Sequence, residues 1–307
     1  MIAITGYSGF VGKELLKKIH VEECLLLGRQ PIAGNYKHQH FDLSDAKQSL
    51  NLNEVKVLIH CAARVHIMDD NSANPIDEFR AVNTKGTINL ATQAARAGVK
   101  RFIFISTIKV NGESTTGRTP FNEQEHAPED PYGVSKAEAE QQLLALGQKT
   151  GMEIVIIRPP LVYGEGVKAN FASLMRLVNK GFPLPFRAIN KNKRSLVSVY
   201  NLVDLIKVCV EHPNAANKVF LVSDDHDLST AEMVQLMAKV QGKSNLALPV
   251  PPALFSLVGA MLGKKQVVDR LIGSLQVDIT HTKSTLNWAP PYSVEDGFKL
   301  SAKNQIG

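Results

Sequence analysis

Tyr132 and Lys136 stand four apart in the stretch Tyr132-Gly133-Val134-Ser135-Lys136. On a helix, residues at that spacing share a face. An ammonium close to a phenol favours the phenolate, so the tyrosine's pKa is expected to fall toward neutrality. The pair then offers a proton donor and acceptor usable at working pH. Upstream, Thr5-Gly6-Tyr7-Ser8-Gly9-Phe10-Val11-Gly12 follows an apolar run and opens a helical pattern. In that setting Gly6 allows a tight turn, Gly9 the close approach of a pyrophosphate, and Gly12 close helix–strand packing. Ser106-Thr107 follows another apolar run and brings a hydroxyl to a sheet edge, where it could bind a substrate oxygen. A phenol, a lysine and a hydroxyl beside a dinucleotide turn suggest hydride transfer to or from a carbonyl.

Dinucleotide folds tell their two nicotinamide cofactors apart at the end of the second strand. An acid there binds the ribose hydroxyls of NAD, whereas an Arg accommodates the 2′-phosphate of NADP. This chain reads Leu27-Gly28-Arg29-Gln30, with no acid. NADP is therefore the preferred cofactor, NAD the alternative, and Arg29 the residue expected to hold the phosphate. Asp42-Leu43, beyond the next strand, is placed to cap an adenine pocket, or Asp42 simply caps a helix.

Such residues need a scaffold. Short apolar runs at 1–5, 23–27, 55–61, 101–106 and 153–158 read as strands, and the patterns at 9–19, 76–97 and 132–150 as helices. Their alternation predicts an α/β fold, a Rossmann doubly wound parallel sheet covered on both faces. Ligands bind at the carboxyl edge of such sheets. After Gly164 the rhythm breaks: Pro183 and Pro185 bracket a loop, and Pro249-Val250-Pro251-Pro252 marks a boundary. Residues 202–209 look helical and 218–222 strand-like, as if the chain returns to the sheet. Residues 1–164, with 201–224 returning, are expected to bind the dinucleotide. Residues 165–200 and 225–307 would form a smaller C-terminal substrate-binding domain.

The chain has 307 residues, enough for a large core, and 44% are hydrophobic. Its net charge of +6 and pI near 9.1 suit an anionic partner. The densest basic patch is only Lys191-Asn192-Lys193-Arg194, so an anionic metabolite is favoured over nucleic acid. Cys24, Cys61 and Cys209 are scattered, form no metal-like pair, and read as reduced, buried thiols of a cytoplasmic protein. The start leads straight into a strand with no signal peptide. The apolar run 253–262 is too short to span a bilayer. It reads as a helix covering the substrate cleft, with a bilayer surface as the other reading.

Taken together, the motifs resemble the extended short-chain dehydrogenase/reductase family, in its nucleotide-sugar epimerase/dehydratase/reductase branch. The likeness runs through Thr5 to Gly12, Asp42-Leu43, His60-Cys61-Ala62-Ala63, Asn83, Ser106-Thr107, Tyr132 and Lys136, and Arg158 to Gly164. It continues through Asn170-Phe171, Arg194, Val199 to Asp204, Arg270, and Asp278 through Lys283 to Trp288, and so covers essentially the whole chain. The resemblance implies that Thr107, Tyr132 and Lys136 are the catalytic trio. It implies that Gly6, Ser8, Gly9, Phe10, Val11, Gly12, Arg29, Asp42, Leu43, Cys61, Ala62, Ala63, Asn83, Ile105, Ser106, Tyr132, Lys136 and Pro159 surround the cofactor. The substrate would meet Thr107, Tyr132, Asn170, Phe186, Arg194 and Arg270. The arginines and Asn170 would hold a nucleotide diphosphate, with Leu184-Pro185-Phe186 near the base.

Three departures narrow the chemistry. The family's 4,6-dehydratases carry Thr-Asp-Glu where this chain reads Thr107-Ile108-Lys109. Eliminating water needs an acid and a base, so dehydration is disfavoured. Val110-Asn111-Gly112 replaces a common Val-Tyr-Gly, which implies different contacts near the sugar. The missing acid after the second strand argues against a permanently held NAD. The reading is an oxidoreductase at C4 of a nucleoside-diphosphate sugar, reducing a UDP-4-keto-6-deoxy-hexose for surface-polysaccharide biosynthesis. The alternatives are 4-epimerisation of a UDP-hexose and a non-catalytic NADP-binding protein. Helices 76–97 and 132–150 could pair in a homodimer.

Overall fold

In the computed structural model, which describes residues 1–65, 74–167, 170–263 and 265–302, the apolar runs and one polar segment become strands of one sheet. They are β1 (Ile2–Thr5), β2 (Cys24–Gly28), β3 (Lys37–His40), β4 (Val57–His60), β5 (Arg101–Ile105) and β6 (Glu153–Arg158). A separate parallel pair follows, β7 (Leu161–Tyr163) with β8 (Leu196–Ser198). Then β9 (Lys218–Leu221) rejoins the main sheet, whose order is β3-β2-β1-β4-β5-β6-β9, parallel throughout. This is the doubly wound arrangement expected of the sequence. Every strand of it ends on the same edge, where the order reverses between β1 and β4. Polar Lys-His-Gln-His explains why β3 carries no apolar signal: it is the edge strand.

Period-two alternation sorts the side chains between two cores. Ile103 and Ile105 of β5 join one, Phe102 and Phe104 the other. The first core lies under α1 (Phe10–Leu16) and the later α6 (Val199–Glu211). Between them in the chain come α2 (Pro75–Phe79), α3 (Thr87–Arg96), α4 (Pro131–Thr150) and α5 (Asn170–Asn179). Helices α3 and α4 cover the second core through Leu90, Ala91, Ala94, Ala139 and Leu143. Helix α1 stops at Leu16, short of the sequence pattern, because Lys18 N–H closes a tighter turn onto Leu15 O at 3.0 Å.

The helix expected over 76–97 is present over 75–96, with one wide turn inside it. Between α2 and α3, residues Arg80–Gly86 form a π-helical turn. Such wide turns cluster at functional sites, and here the turn meets the loop after β3: a Cβ on Gly86 would lie 2.3 Å from Leu43 O. By contrast α4 has a full set of terminal signals. Asp130 Oδ1 accepts Gly133 N–H at 2.6 Å, Pro131 takes the first position, and Gly151 ends the helix at φ 80°.

The chain closes with α7 (Thr230–Val240), α8 (Pro252–Met261), α9 (Lys265–Ile272), α10 (Thr280–Leu286) and α11 (Val294–Ala302). A third core joins α5, α7 and α11 through Phe171, Met175, Met237 and Phe298, with Tyr163 of β7. Helices α8 and α9 pack on each other. Among the described residues no helix is long and apolar enough to cross a membrane.

Candidate active site

At the end of β1 the chain turns through Gly6, whose φ is 69°. A Cβ there would sit 2.5 Å from Ala62 N, and one on Gly12 would sit 2.2 Å from Gly6 O. Neither position tolerates a side chain. Gly9 N–H donates to Gly6 O at 2.9 Å, and Ser8 and Gly9 are exposed. The first N–H groups of α1, those of Phe10 and Val11, have no acceptor within the helix. This is a cradle in which a pyrophosphate can approach bare backbone. Cys61 N–H donates to Thr5 O (3.2 Å) and Ala62 N–H to Thr5 Oγ1 (3.3 Å), so Cys61-Ala62-Ala63 runs alongside it.

Arg29 is exposed just past the end of β2. Next to it the Tyr7 ring covers Gly28, and the Tyr7 hydroxyl donates to Gln30 O. Asp42 caps no helix. Its Oδ1 accepts from Ser44 Oγ (2.7 Å) and Ser44 N–H (2.9 Å), and these bonds, with Arg29 nearby, hold its carboxyl below the usual range.

Lys136 is buried to 1% exposure. Its Nζ donates to Ile105 O at 2.7 Å and stands 3.9 Å from the centroid of the Phe104 ring. Burial outweighs the attraction of Glu140 and brings Lys136 down to about 7. Tyr132, at the start of α4, is half-buried with its ring edge-on to Phe79. Burial, and then the Asp130 carboxylate, push its phenol up to about 12. The sequence predicts the opposite direction. The reason is that the Lys136 ammonium is directed at a backbone carbonyl and a ring, while Asp130 is the charge that reaches the phenol. Thr107 Oγ1 accepts Lys109 N–H at 3.3 Å, which leaves its proton to donate outward.

Beneath the trio lies a buried polar frame. Arg158 binds Glu140 through Nε (3.1 Å) and Nη2 (2.6 Å), and both side chains are nearly inaccessible. Ser106 Oγ–H donates to the same Glu140. Ser106 is thereby committed to the frame, and Thr107 is the hydroxyl left at the edge. Asn111 is also buried, accepting from Arg158 Nη1 at 3.0 Å and donating to Asn122 O at 2.6 Å. Its replacement of a tyrosine serves the frame rather than a sugar contact. Asn83, in the π-helical turn, bonds Arg64 N–H and O and reaches Ser135 Oγ at 3.1 Å. It ties α4 to the loop after β4. Pro159 O accepts Ile108 N–H at 2.9 Å. Sequence reasoning passed over Glu140, although Tyr-x-x-x-Lys-x-x-x-Glu puts it on the same helical face. It named His60 only as part of a motif; the structure shows a neutral buried ring between Thr5 Oγ1 (2.6 Å) and Thr87 Oγ1 (2.9 Å), whose pKa burial lowers well below normal.

On the substrate side, Arg194 Nη1 donates to Arg270 O at 2.7 Å. Burial and the neighbouring Arg270 cation push Arg194 below its usual pKa. The Arg270 charge felt at Arg194 makes this corner electropositive, which favours an anion beside it. Arg270 also reaches Glu113 at 3.5 Å. Phe186 is half-buried against Phe255 of α8, with centroids 5.9 Å apart. Asn170 opens α5, and its side chain lies outside the described residues. Where dehydratases need acids, Lys109 stands instead, paired with Glu113 (3.0 Å) and Asp130.

A glycine cradle at the switch point of a parallel sheet, next to a Thr, Tyr and Lys set, defines a nicotinamide-dependent oxidoreductase of the Rossmann class. The chain belongs to the NAD dependent epimerase/dehydratase family, whose pattern matches residues 2–223, and is an enzyme of the extended short-chain dehydrogenase/reductase type. It is 54% identical to a UDP-glucose 4-epimerase of Vibrio cholerae, over 98% of this chain and 94% of that one. Among solved structures, the UDP-N-acetylglucosamine 4-epimerase of Bacillus cereus superposes with a TM-score of 0.80 at 22% identity, covering 100% of this chain and 99% of that chain. The Thermus thermophilus UDP-glucose 4-epimerase complex with NAD gives 0.76 at 19% identity, covering 100% and 99%.

Proposed function

We propose that this enzyme interconverts a UDP-hexose with its C4 epimer, using NAD. The observation that carries the reading is the hydroxyl, phenol and ammonium set beside the glycine cradle, with Lys109 rather than an acid next to Thr107. The full-length likeness to a UDP-glucose 4-epimerase supports it over the reduction that the sequence first suggests. Bound NAD would supply a hydride acceptor that can return the hydride to either face of the sugar.

The chain's own residues do the rest. Gly6, Gly9, Gly12 and the backbone of Phe10 and Val11 hold the pyrophosphate. Tyr132 takes the proton of the C4 hydroxyl during oxidation and restores it during reduction. Thr107 donates to that oxygen as negative charge grows on it. Lys136, with its pKa near 7, is the cation that must face the phenol to lower it from about 12. Arg194 and Arg270 hold the diphosphate, and Phe186 packs beside the base. The chain from 165 to 200 and from 225 on forms the substrate-binding domain.

A second reading rests on Arg29. An exposed arginine at the end of β2, with no acid beside it, suits NADPH taken up afresh at each turnover, as a 4-keto reductase requires. One experiment separates the two. Purified enzyme receives UDP-glucose or UDP-N-acetylglucosamine with catalytic NAD, and separately a UDP-4-keto-6-deoxy-hexose with NADPH or NADH. Interconversion without net cofactor consumption is expected. Stoichiometric oxidation of NADPH with no interconversion would move the function to reduction, and silence in both arms would remove both readings.

A further inference from the structure

Helix α8 inverts the usual arrangement of an amphipathic helix. Leu254, Leu257, Val258, Met261 and Leu262 fall at i, i+3, i+4, i+7 and i+8, the spacing of a core-facing stripe. Here the stripe faces solvent: Leu257 is 59% exposed, Leu262 66% and Met261 79%. The inward side is held by Phe255 on Phe186. Exposed Phe182, Leu246 and Leu248 extend the patch, because Leu248 N–H bonds Leu184 O (2.7 Å) and Arg187 N–H bonds Leu248 O (3.1 Å). The sequence expectation that this helix covers the substrate cleft does not account for so outward a stripe.

Charge is distributed to match. The segments 170–194 and 233–268, which supply this face, contain ten Lys and Arg and no Asp or Glu. Of the 35 basic residues that leaves 25 elsewhere, against all 29 acidic ones, so the rest of the chain carries a net charge of −4. Lys193 and Lys239 contact Glu232 and Glu295 from outside the two segments. Lys180, Arg187, Lys243 and Lys265 are exposed around the apolar patch.

We propose that this face docks on an anionic lipid bilayer, with α8 lying in the headgroup plane. At ten residues α8 cannot span the hydrocarbon layer, but its stripe can enter the boundary while the cations meet lipid phosphates. A second copy of the chain fits less well. It would set Lys180, Arg187, Lys243 and Lys265 of one copy against those of the other, and like charges across an interface oppose association.

The test is co-sedimentation with vesicles of phosphatidylglycerol and phosphatidylethanolamine, against vesicles of phosphatidylcholine alone. The expected result is partition into the anionic vesicles at least about tenfold stronger, weakening as salt rises. Leu257→Glu with Met261→Glu should reduce it by about tenfold or more, and Lys243→Glu with Lys265→Glu should remove the preference for anionic lipid. Both double variants should retain sugar-nucleotide turnover in solution, which also shows that they fold. Equal binding to both vesicle types, no binding by the unsubstituted protein, or unchanged binding by the Leu257/Met261 variant would overturn the proposal. Concentration-dependent self-association abolished by Leu257→Glu/Met261→Glu, with no vesicle binding, would assign the face to a second copy instead.

Discussion

At the carboxyl edge of the sheet, Lys136, Glu140, Arg158 and His60 are buried, whereas on α8 leucines and a methionine lie in solvent. Each region runs against the ordinary partition of side chains, and each does so differently. The buried charges are saturated with partners: Glu140 takes Arg158 and Ser106, and Lys136 takes a carbonyl and a ring. The exposed apolar groups of α8 lack such a network, and each exposed Leu forgoes about 1.5–3 kcal/mol of burial. A polar interior can thus be complete within the chain, while an apolar exterior is complete only against something else. That contrast separates a site built to hold its own charges from a surface built to meet a partner.

The comparison can be broken at its polar end first. Tyr132→Phe should lower turnover by roughly a hundred- to ten-thousand-fold while leaving nucleotide-sugar binding little changed. A loss of under about threefold would show that the phenol carries no proton. Arg158→Met should strand Glu140 and cost about 3–5 kcal/mol in chemical denaturation, and Arg158→Met with Glu140→Met should recover much of it.

Lys136 gives a pH signature of smaller size. The unfolded chain keeps the lysine proton up to about 10.5, the fold only to about 7. Between those values the unfolded state holds more protons, so this group makes stability climb as pH rises through the window. Melting curves from pH 7 to 10 should show that climb flattened in Lys136→Met; an identical slope in both proteins would mean that the lysine is not desolvated. At the apolar end, Leu254→Ser should change stability by less than about 0.5 kcal/mol, as expected for a surface position. A loss above about 2 kcal/mol would place the stripe in a core and cancel the contrast.

Much of this was readable from residue order alone, wherever a local pattern decides the outcome. The apolar runs gave β1, β2, β4, β5 and β6 within two residues, and the glycine turn announced itself by spacing. The pattern at 76–97 foretold a helix, but not that residues 80–86 within it wind as a π-helical turn, which an apolar rhythm does not distinguish. The direction of the Tyr132 shift was missed because four-residue spacing says which residues share a face, not where a flexible ammonium points. Asn111 in place of a tyrosine pointed only to altered contacts near the sugar; its bond to Arg158, 47 residues away, could not be read from the local pattern. The outward turn of α8 has the same origin: periodicity shows that a stripe exists, and tertiary packing decides what it faces.

The Ile105 carbonyl that holds Lys136 has a thermodynamic consequence. Were acceptor oxygens of an incoming nucleotide to take over this ammonium and hold it as a cation, complex formation at pH 8 would draw a proton from solvent. Titration calorimetry would register that uptake as a heat that differs between Tris and phosphate, and affinity for the nucleotide would decline as the medium turns alkaline.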